Sequence, residues 1–318
     1  MLFEKKITDT FRSQFLTRCD ETGTVFYFSH KDFPGLQAEA YAFPSSLGHS
    51  LQGWFYHYDS PIPGRLVVFD HGFGGGHRAY MVEIEKLCRA GYLVFAYDHT
   101  GCMASQGENC RGLTQSLCDL NDCLNALKND PRYSGLDLSV MGHSWGGFAC
   151  GNIAAFHPEI SRIVVLSGFI SAPRLLEQFF PGFLKGYTKR ILELEQQSNP
   201  NFWDRSSLDA LAATQAKVLL VYSGNDKLVT RKGSYDVLLP ALSHRENVRL
   251  MLVENRGHNP NYTREAAAYL GQYLAAVNKQ KKKLTTPEQK AAFVASWDWK
   301  RMTAQDENVW EAIWETLA

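Results

Sequence analysis

From Arg65 onward the chain repeats one pattern: a short run of consecutive apolar residues, then a segment in which apolar residues recur at helical spacing. The runs are Leu66 to Phe69, Leu93 to Ala96, Leu138 to Met141, Ile163 to Leu166, Val218 to Val221 and Val248 to Val253. A strand that is apolar on both of its faces has to be covered on both, which is the condition of a parallel sheet sandwiched between helices. Between two of the runs, Leu113, Leu117, Leu120, Leu124 and Leu127 fall on one stripe of an amphipathic helix. The pattern predicts an α/β fold with an open, mostly parallel sheet. Ahead of it, Val25 to Ser29, Gln37 to Phe43 and Leu51 to Tyr58 alternate with period two and predict an antiparallel lead-in.

Two intervals depart from the rhythm. About fifty residues, 168–215, separate two successive strands that one crossover helix could join. This stretch carries Phe169, Phe179, Phe180, Phe183, Tyr187, Phe202 and Trp203, broken by Pro173, Pro181 and Pro200. It is expected to form an inserted helical cap, or lid, at the carboxyl edge of the sheet. Its aromatic residues either line a site or merely pack the insert onto the body. The second departure is the tail, 279–318, which begins with a lysine-rich run read as a solvated linker. It continues with Thr286-Pro287-Glu288-Gln289, a helix start with an N-cap, an N1 proline and a capping-box glutamine. Trp310, Ile313, Trp314 and Leu317 then make an apolar stripe that docks on the body or meets a partner. The expected organisation is a catalytic core of 1–167 and 216–278, a cap of 168–215 and a helical extension of 279–318.

Charge and cysteine usage narrow the function classes. Thirty-three basic residues balance 33 acidic ones in 318, and 45% of the residues are hydrophobic. Such a chain has enough apolar material to fold and no net field to draw it to nucleic acid or to an anionic membrane. Seven cysteines without CxxC or metal-type spacing read as reduced thiols. With no apolar run suited to a signal peptide or a spanning helix, the expectation is a cytoplasmic protein without stable membrane insertion. Its expected partner is a small molecule, and a homodimer through the cap or the tail is the candidate protein contact.

The chemistry is carried by Gly142-His143-Ser144-Trp145-Gly146-Gly147, directly after one apolar run and before a helical segment. A serine on a strained strand-to-helix turn needs small residues two positions away on either side, and Gly142 and Gly146 supply them. The hydroxyl then lies at a helix N-terminus, where amides stabilise a developing oxyanion. A serine needs a base, and the base an orienting carboxylate. Asp226 and His258 each follow a predicted strand, so the parallel sheet brings both to the edge that carries Ser144. Asp226 could instead only cap its turn, and His258 could be an ordinary loop histidine ahead of Asn259 and Pro260. Another glycine-rich turn, His71-Gly72-Phe73-Gly74-Gly75-Gly76-His77, also follows a strand. It lets the backbone approach the reaction centre, so that the amides of Phe73 and Trp145 could form an oxyanion hole. Neither glycine-rich phosphate-binding pattern is present.

These motifs, together with the loop Asp98-His99-Thr100-Gly101-Cys102-Met103-Ala104-Ser105, arrive in a fixed order over roughly residues 51–277. In that order they resemble the α/β-hydrolase fold superfamily, in its branch of small esterases, monoacylglycerol-lipase-like enzymes and serine aminopeptidase-like hydrolases. The resemblance implies Ser144 as nucleophile, His258 as base, Asp226 as orienting acid, Phe73 and Trp145 as oxyanion donors, and 168–215 as the cap. His71, Gly72, His143, Phe169, Phe180 and Phe183 are the expected substrate contacts. Where the family commonly carries a second glycine after Asp98, this chain has Met103. The expected activity is hydrolysis of a small or medium carboxylic ester through an acyl-enzyme, with no metal and no organic cofactor. An aminopeptidase-like amide hydrolase, using Glu177, Glu193 or Asp204 to hold a substrate amine, is the alternative. A non-catalytic binding protein on the same fold is the third reading.

Overall fold

The structure is a computed structural model that describes residues 2–180 and 186–318, with side chains from Lys6 onward. Eight strands form one sheet: β1 (Gln37–Pro44), β2 (Ser50–His57), β3 (Arg65–Asp70), β4 (Leu93–Tyr97), β5 (Asp137–His143), β6 (Arg162–Leu166), β7 (Lys217–Ser223) and β8 (Val248–Val253). Their order across the sheet is β1-β2-β4-β3-β5-β6-β7-β8. β2 runs antiparallel to β1 and β4, and every other pairing is parallel. The six apolar runs are the six strands β3 to β8, and the fold is the α/β-hydrolase fold.

Alternation along the strands sorts the side chains into two layers. Leu66 and Val68 of β3 face one, together with Val140 and Leu220. Helices α3 (Gln115–Asn129), α4 (Trp145–Ile153) and α8 (Tyr235–Leu242) close that layer. Val67 and Phe69 face the other, under α2 (Met81–Arg89) and α12 (Glu307–Leu317). The tail therefore completes the sheet's cover: Trp310, Ile313 and Leu317 of α12 have no solvent exposure. The apolar stripe expected to dock on the body or to meet a partner is spent within the chain itself. The helix start at Thr286 is as expected, with the Thr286 hydroxyl accepting from the Gln289 amide at the head of α10 (Pro287–Ala295).

Two expectations need correction or extension. Val25 to Ser29 is not a strand; it has no strand neighbour. The rings of Phe26 and Phe28 meet edge to face, and Phe26 also contacts Trp299, so the period-two pattern reflects aromatic packing. The first residues form a helix, α1 (Leu2–Phe15), that packs against the insertion. The insertion between β6 and β7 consists of α5 (Ala172–Phe179), α6 (Gly186–Ser198) and α7 (Ser207–Ala213), with residues 181–185, Phe183 among them, outside the described residues.

Candidate active site

Ser144 stands on the turn between β5 and α4 with φ +56° and ψ −108°, a conformation that costs a non-glycine residue of order 1–3 kcal/mol. The turn persists because its surroundings leave no alternative. Its amide donates to the Leu166 carbonyl of β6 at 2.8 Å. A Cβ on Gly142 would lie 2.5 Å from the Gly146 carbonyl oxygen, and one on Gly146 would collide with the Asp70 carbonyl at the end of β3. The glycines two positions to either side of the serine are there because backbone crosses backbone.

The loops after β7 and β8 complete the arrangement. His258 Nε2 lies 2.8 Å from Ser144 Oγ, and His258 Nδ1 lies 2.7 Å from Asp226 Oδ2. The other oxygen of Asp226 accepts the amides of Leu228 and Val229 at 2.8 and 3.1 Å. The carboxylate is thus held in place by its own loop. Because it can only accept, Nδ1 carries the proton and Nε2 is left to accept from the serine. Asp226 does cap its turn, and the same carboxylate is hydrogen-bonded to His258.

His143, next to the serine, has a different task. Its Nε2 lies 2.7 Å from the His258 carbonyl oxygen, which fixes the proton on Nε2 and leaves Nδ1 to accept from the Tyr80 hydroxyl at 2.8 Å. The Tyr80 oxygen in turn accepts the Gly72 amide at 3.1 Å. Burial and the neighbouring His258 push the His143 imidazole down to about 3, so it stays neutral. This neutral relay ties the loop carrying His258 to the loop carrying Phe73.

Beneath the glycine-rich loop lies a buried ionic cluster that sequence reasoning missed. His99 Nε2 meets Asp70 Oδ1 at 2.7 Å, its Nδ1 meets Asp119 Oδ2 at 3.2 Å, and all three side chains are fully buried. Burial alone would lower the imidazolium, but the two carboxylates outweigh it and raise it to about 10. The His99 amide donates to His71 Nε2, and His71 Nδ1 donates to the Gly72 carbonyl. At the loop's other end His77 pairs with Asp98 Oδ1 through both its amide and its ring. The chain around Phe73 is therefore pinned at both ends. The Trp145 amide opens α4, where no preceding turn supplies it with a carbonyl.

A pocket of about 230 Å³ opens at Ser144 and His258, with Gly72, Phe73, His143, Trp145 and Phe169 in its walls. Of the expected substrate contacts, Gly72, His143 and Phe169 line it. His71 does not: it is fully buried below, occupied with Gly72 and His99. Phe180 lines an adjoining, larger pocket of about 530 Å³. The two pockets share Phe15, Phe179 and Leu228 as walls, and Ile7 and Phe11 of α1 close the outer one. Phe15 meets Phe73 with ring centroids 4.9 Å apart. The part played by α1 was not foreseen, although Ile7, Phe11 and Phe15 at intervals of four give the signal. Larger clefts elsewhere, about 550 and about 600 Å³, have no serine hydrogen-bonded to a histidine among their lining residues; His77 in the smaller of the two is held by the Tyr56 hydroxyl and Asp98.

The insertion is anchored by Glu195 of α6. Its carboxyl group accepts the amides of Leu113 and Thr114 at 2.6 and 3.2 Å and the Thr114 hydroxyl at 3.1 Å. Burial raises it to about 7 against those donors.

Residues 61–249, more than half of the chain, match the model of the family described as serine aminopeptidase, S33. The chain belongs to that family. Within curated proteins, a monoglyceride lipase of Saccharomyces cerevisiae is 24% identical over 170 residues, covering 52% of this chain and 53% of that protein. A monoacylglycerol lipase of Mycolicibacterium smegmatis is 32% identical over 108 residues, covering 33% and 38%. The chain thus spans about half or less of the length of these relatives. Among solved structures, an esterase of Pyrococcus furiosus superposes with a TM-score of 0.59 at 20% identity, covering 81% of this chain and 96% of that one. A dienelactone hydrolase of Anabaena variabilis gives 0.52 at 19% identity, covering 78% and 98%. At such identities the likeness is one of fold. No helix among the described residues of this S33 family member is long and apolar enough to cross a membrane.

Proposed function

We propose that the chain is a serine hydrolase of carboxylic esters with a small or medium apolar acyl group, working through an acyl-enzyme. One observation carries the reading: a serine, a histidine and a buried aspartate hydrogen-bonded in series at the mouth of an apolar pocket. His258 takes the Ser144 proton as Oγ attacks the ester carbonyl. The Phe73 and Trp145 amides hold the oxyanion, and Asp226 stabilises the imidazolium. The alcohol leaves with the proton from His258 Nε2, and water then repeats the sequence to release the acid. Helices α1, α5 and α6 act as a lid that keeps water from the acyl group. The monoglyceride and monoacylglycerol lipases among the relatives support an ester, and the family's serine aminopeptidases keep an amide in view.

The walls of the pocket favour the ester. An aminopeptidase needs a carboxylate to receive the substrate ammonium, and none lines the pocket among the described residues. Glu177 and Asp204 are exposed, and Glu193 pairs with Arg190 at 2.5 Å. Glu195 is fully engaged by Leu113 and Thr114.

The test is a substrate panel run on the wild type and on Ser144→Ala. Nitrophenyl esters are expected to be turned over and aminoacyl naphthylamides not. The variant should lose about three orders of magnitude or more of turnover, along with fluorophosphonate labelling, while keeping its thermal transition. Full esterase activity in Ser144→Ala would exclude this mechanism, and preference for the naphthylamides would restore the peptidase.

A further inference from the structure

Leaving α1, the chain runs alongside the loop 101–112 almost as an added strand. Cys19 N–H donates to the Gly101 carbonyl at 2.9 Å, Met103 N–H to Cys19 at 3.2 Å, Cys110 N–H to Thr17 at 3.1 Å and Gly112 N–H to Phe15 at 3.0 Å. Cys19 and Cys102 are therefore direct bridge partners. The loop doubles back at Gly101, where φ is +69° and any Cβ would collide with the Asn109 carbonyl. That reversal brings Cys110 to the same point. The three sulfur atoms lie within 4.8 Å of one another, with Cys102 and Cys110 3.7 Å apart. Spacing along the sequence gave no hint of this, because the three meet only through the fold.

All seven cysteines are free thiols. A disulfide would use two of these three sulfurs and strand the third. Three sulfurs around one ion with metal–sulfur bonds of about 2.3 Å form a triangle with edges of about 4 Å, close to the separations here. Two of the cysteines are fully buried and Cys19 is half-buried, so the cluster is shielded yet has a side from which an ion can enter. The loop is also held firm independently of any ion: the Arg18 guanidinium donates to the carbonyls of Met103, Ser105 and Gly107 at 2.9, 3.2 and 2.6 Å.

We propose that Cys19, Cys102 and Cys110 form a three-thiolate site for one soft d10 cation, Cu+ in trigonal coordination or Zn2+ with water as its fourth ligand. Thiolate sets select such ions over harder ones. Binding releases the thiol protons to the buffer and changes no oxidation state. Its structural consequence follows from the place of Cys19. The ion staples the segment that leaves α1 to the body, and so fixes Phe15 in the wall of the catalytic pocket. The site stands apart from Ser144 and does not depend on the proposed esterase activity.

The full-length protein, reduced and stripped of metal under argon, is titrated with Zn2+ and with Cu+, each against a chromophoric chelator. The expected result is one equivalent of at least one of the two ions per chain, a thermal transition that rises with free ion, and protection of Cys19 from iodoacetamide. Uptake should be lost in Cys19→Ser and in Cys102→Ser and kept in Cys118→Ser, whose thiol lies near Ser46 and Asp122 instead. If Cys102→Ser fails to fold, Cys19→Ser and the alkylation readout decide alone. No saturable uptake of either ion, uptake that survives loss of Cys19, or uptake lost equally in Cys118→Ser would each overturn the site.

Discussion

The insertion and the C-terminal tail are both helical, both rich in aromatic residues, and opposite in what they do with them. In the tail, Trp310, Ile313 and Leu317 press onto the sheet and are fully buried. The Arg65 guanidinium holds the end of α12 by the carbonyls of Leu317 and Ala318, at 3.1 and 2.9 Å. In the insertion, Phe179 is 45% exposed, and together with Leu228, at 52%, it borders both pockets beside Ser144. An apolar residue packed on a sheet gains dispersion contacts on every side, whereas one that faces a void leaves part of that energy unclaimed until a ligand arrives. Similar compositions thus serve stability in one region and, on the proposed function, binding in the other.

The largest expected consequence is at Trp310. Replacing it with alanine removes a wholly buried ring and should cost about 3–5 kcal/mol in urea-induced unfolding. The fraction that stays folded should turn over a short ester at the wild-type rate, because Trp310 lines neither pocket beside Ser144. A variant that unfolds normally yet changes its substrate preference would dissolve the contrast between the two regions.

A second, smaller effect comes from a buried carboxyl group on each side. Burial raises Glu195, in the insertion, to about 7, and it raises Glu83, on the tail side, to about 7 as well. Glu83 accepts from the side-chain amides of Asn261 and Gln305 at 2.9 and 3.1 Å. Each group keeps a proton in the folded state that the unfolded chain gives up near 4.5. Their contribution is therefore complete below about pH 4.5 and lost as the pH rises through about 7. Stability should fall between pH 5 and pH 8 by about 2–4 kcal/mol per group, and each Glu→Gln substitution should remove its own share of the slope. The regions separate in the kinetics. Glu195→Gln should also flatten the pH dependence of KM, since α6 borders the outer pocket, and Glu83→Gln should leave KM alone. Equal kinetic effects from both would mean that the insertion is not the part coupled to the pocket.

What could be read from the sequence divides along similar lines. Strands β3 to β8 are legible because each is a continuous apolar run, a property of neighbouring residues. Ser144 is legible because its turn demands glycine at fixed offsets, and Asp226 and His258 because parallel strand ends share an edge. Contacts made across the fold leave no such trace. Asp70, His99 and Asp119 belong to β3, the loop after β4 and α3, and nothing in their spacing announces a buried cation. Cys19 meets Cys102 only where the segment leaving α1 pairs with the loop 101–112. Helix α1 carries Ile7, Phe11 and Phe15 as a stripe among polar and charged neighbours, without meaning until α6 lies beside it. Val25 to Ser29 errs the other way, since alternating aromatics can satisfy a packing surface as well as a sheet. Met103, where the resemblance leads one to expect glycine, adopts φ +44°, a conformation that local rules disfavour for a residue with a side chain.

The smallest effect tests the lid side of the comparison most directly. Phe179→Ala truncates a half-exposed ring that walls both pockets, so its cost in unfolding should stay within about 1 kcal/mol. The loss should appear in binding instead. A nitrophenyl ester long enough to reach from Ser144 into the outer pocket gives up contact with the ring, and its KM should rise about tenfold, or about 1.4 kcal/mol. For the acetyl ester, which ends inside the inner pocket, KM should not move. kcat should be unchanged for both, because the ring contacts the acyl chain equally in ground and transition states. Phe15→Ala should act in the same direction from the α1 side. If Phe179→Ala instead destabilises the protein as much as Trp310→Ala does, or raises KM equally for the short and long esters, the insertion is packed as the tail is. The outer pocket would then hold no acyl chain.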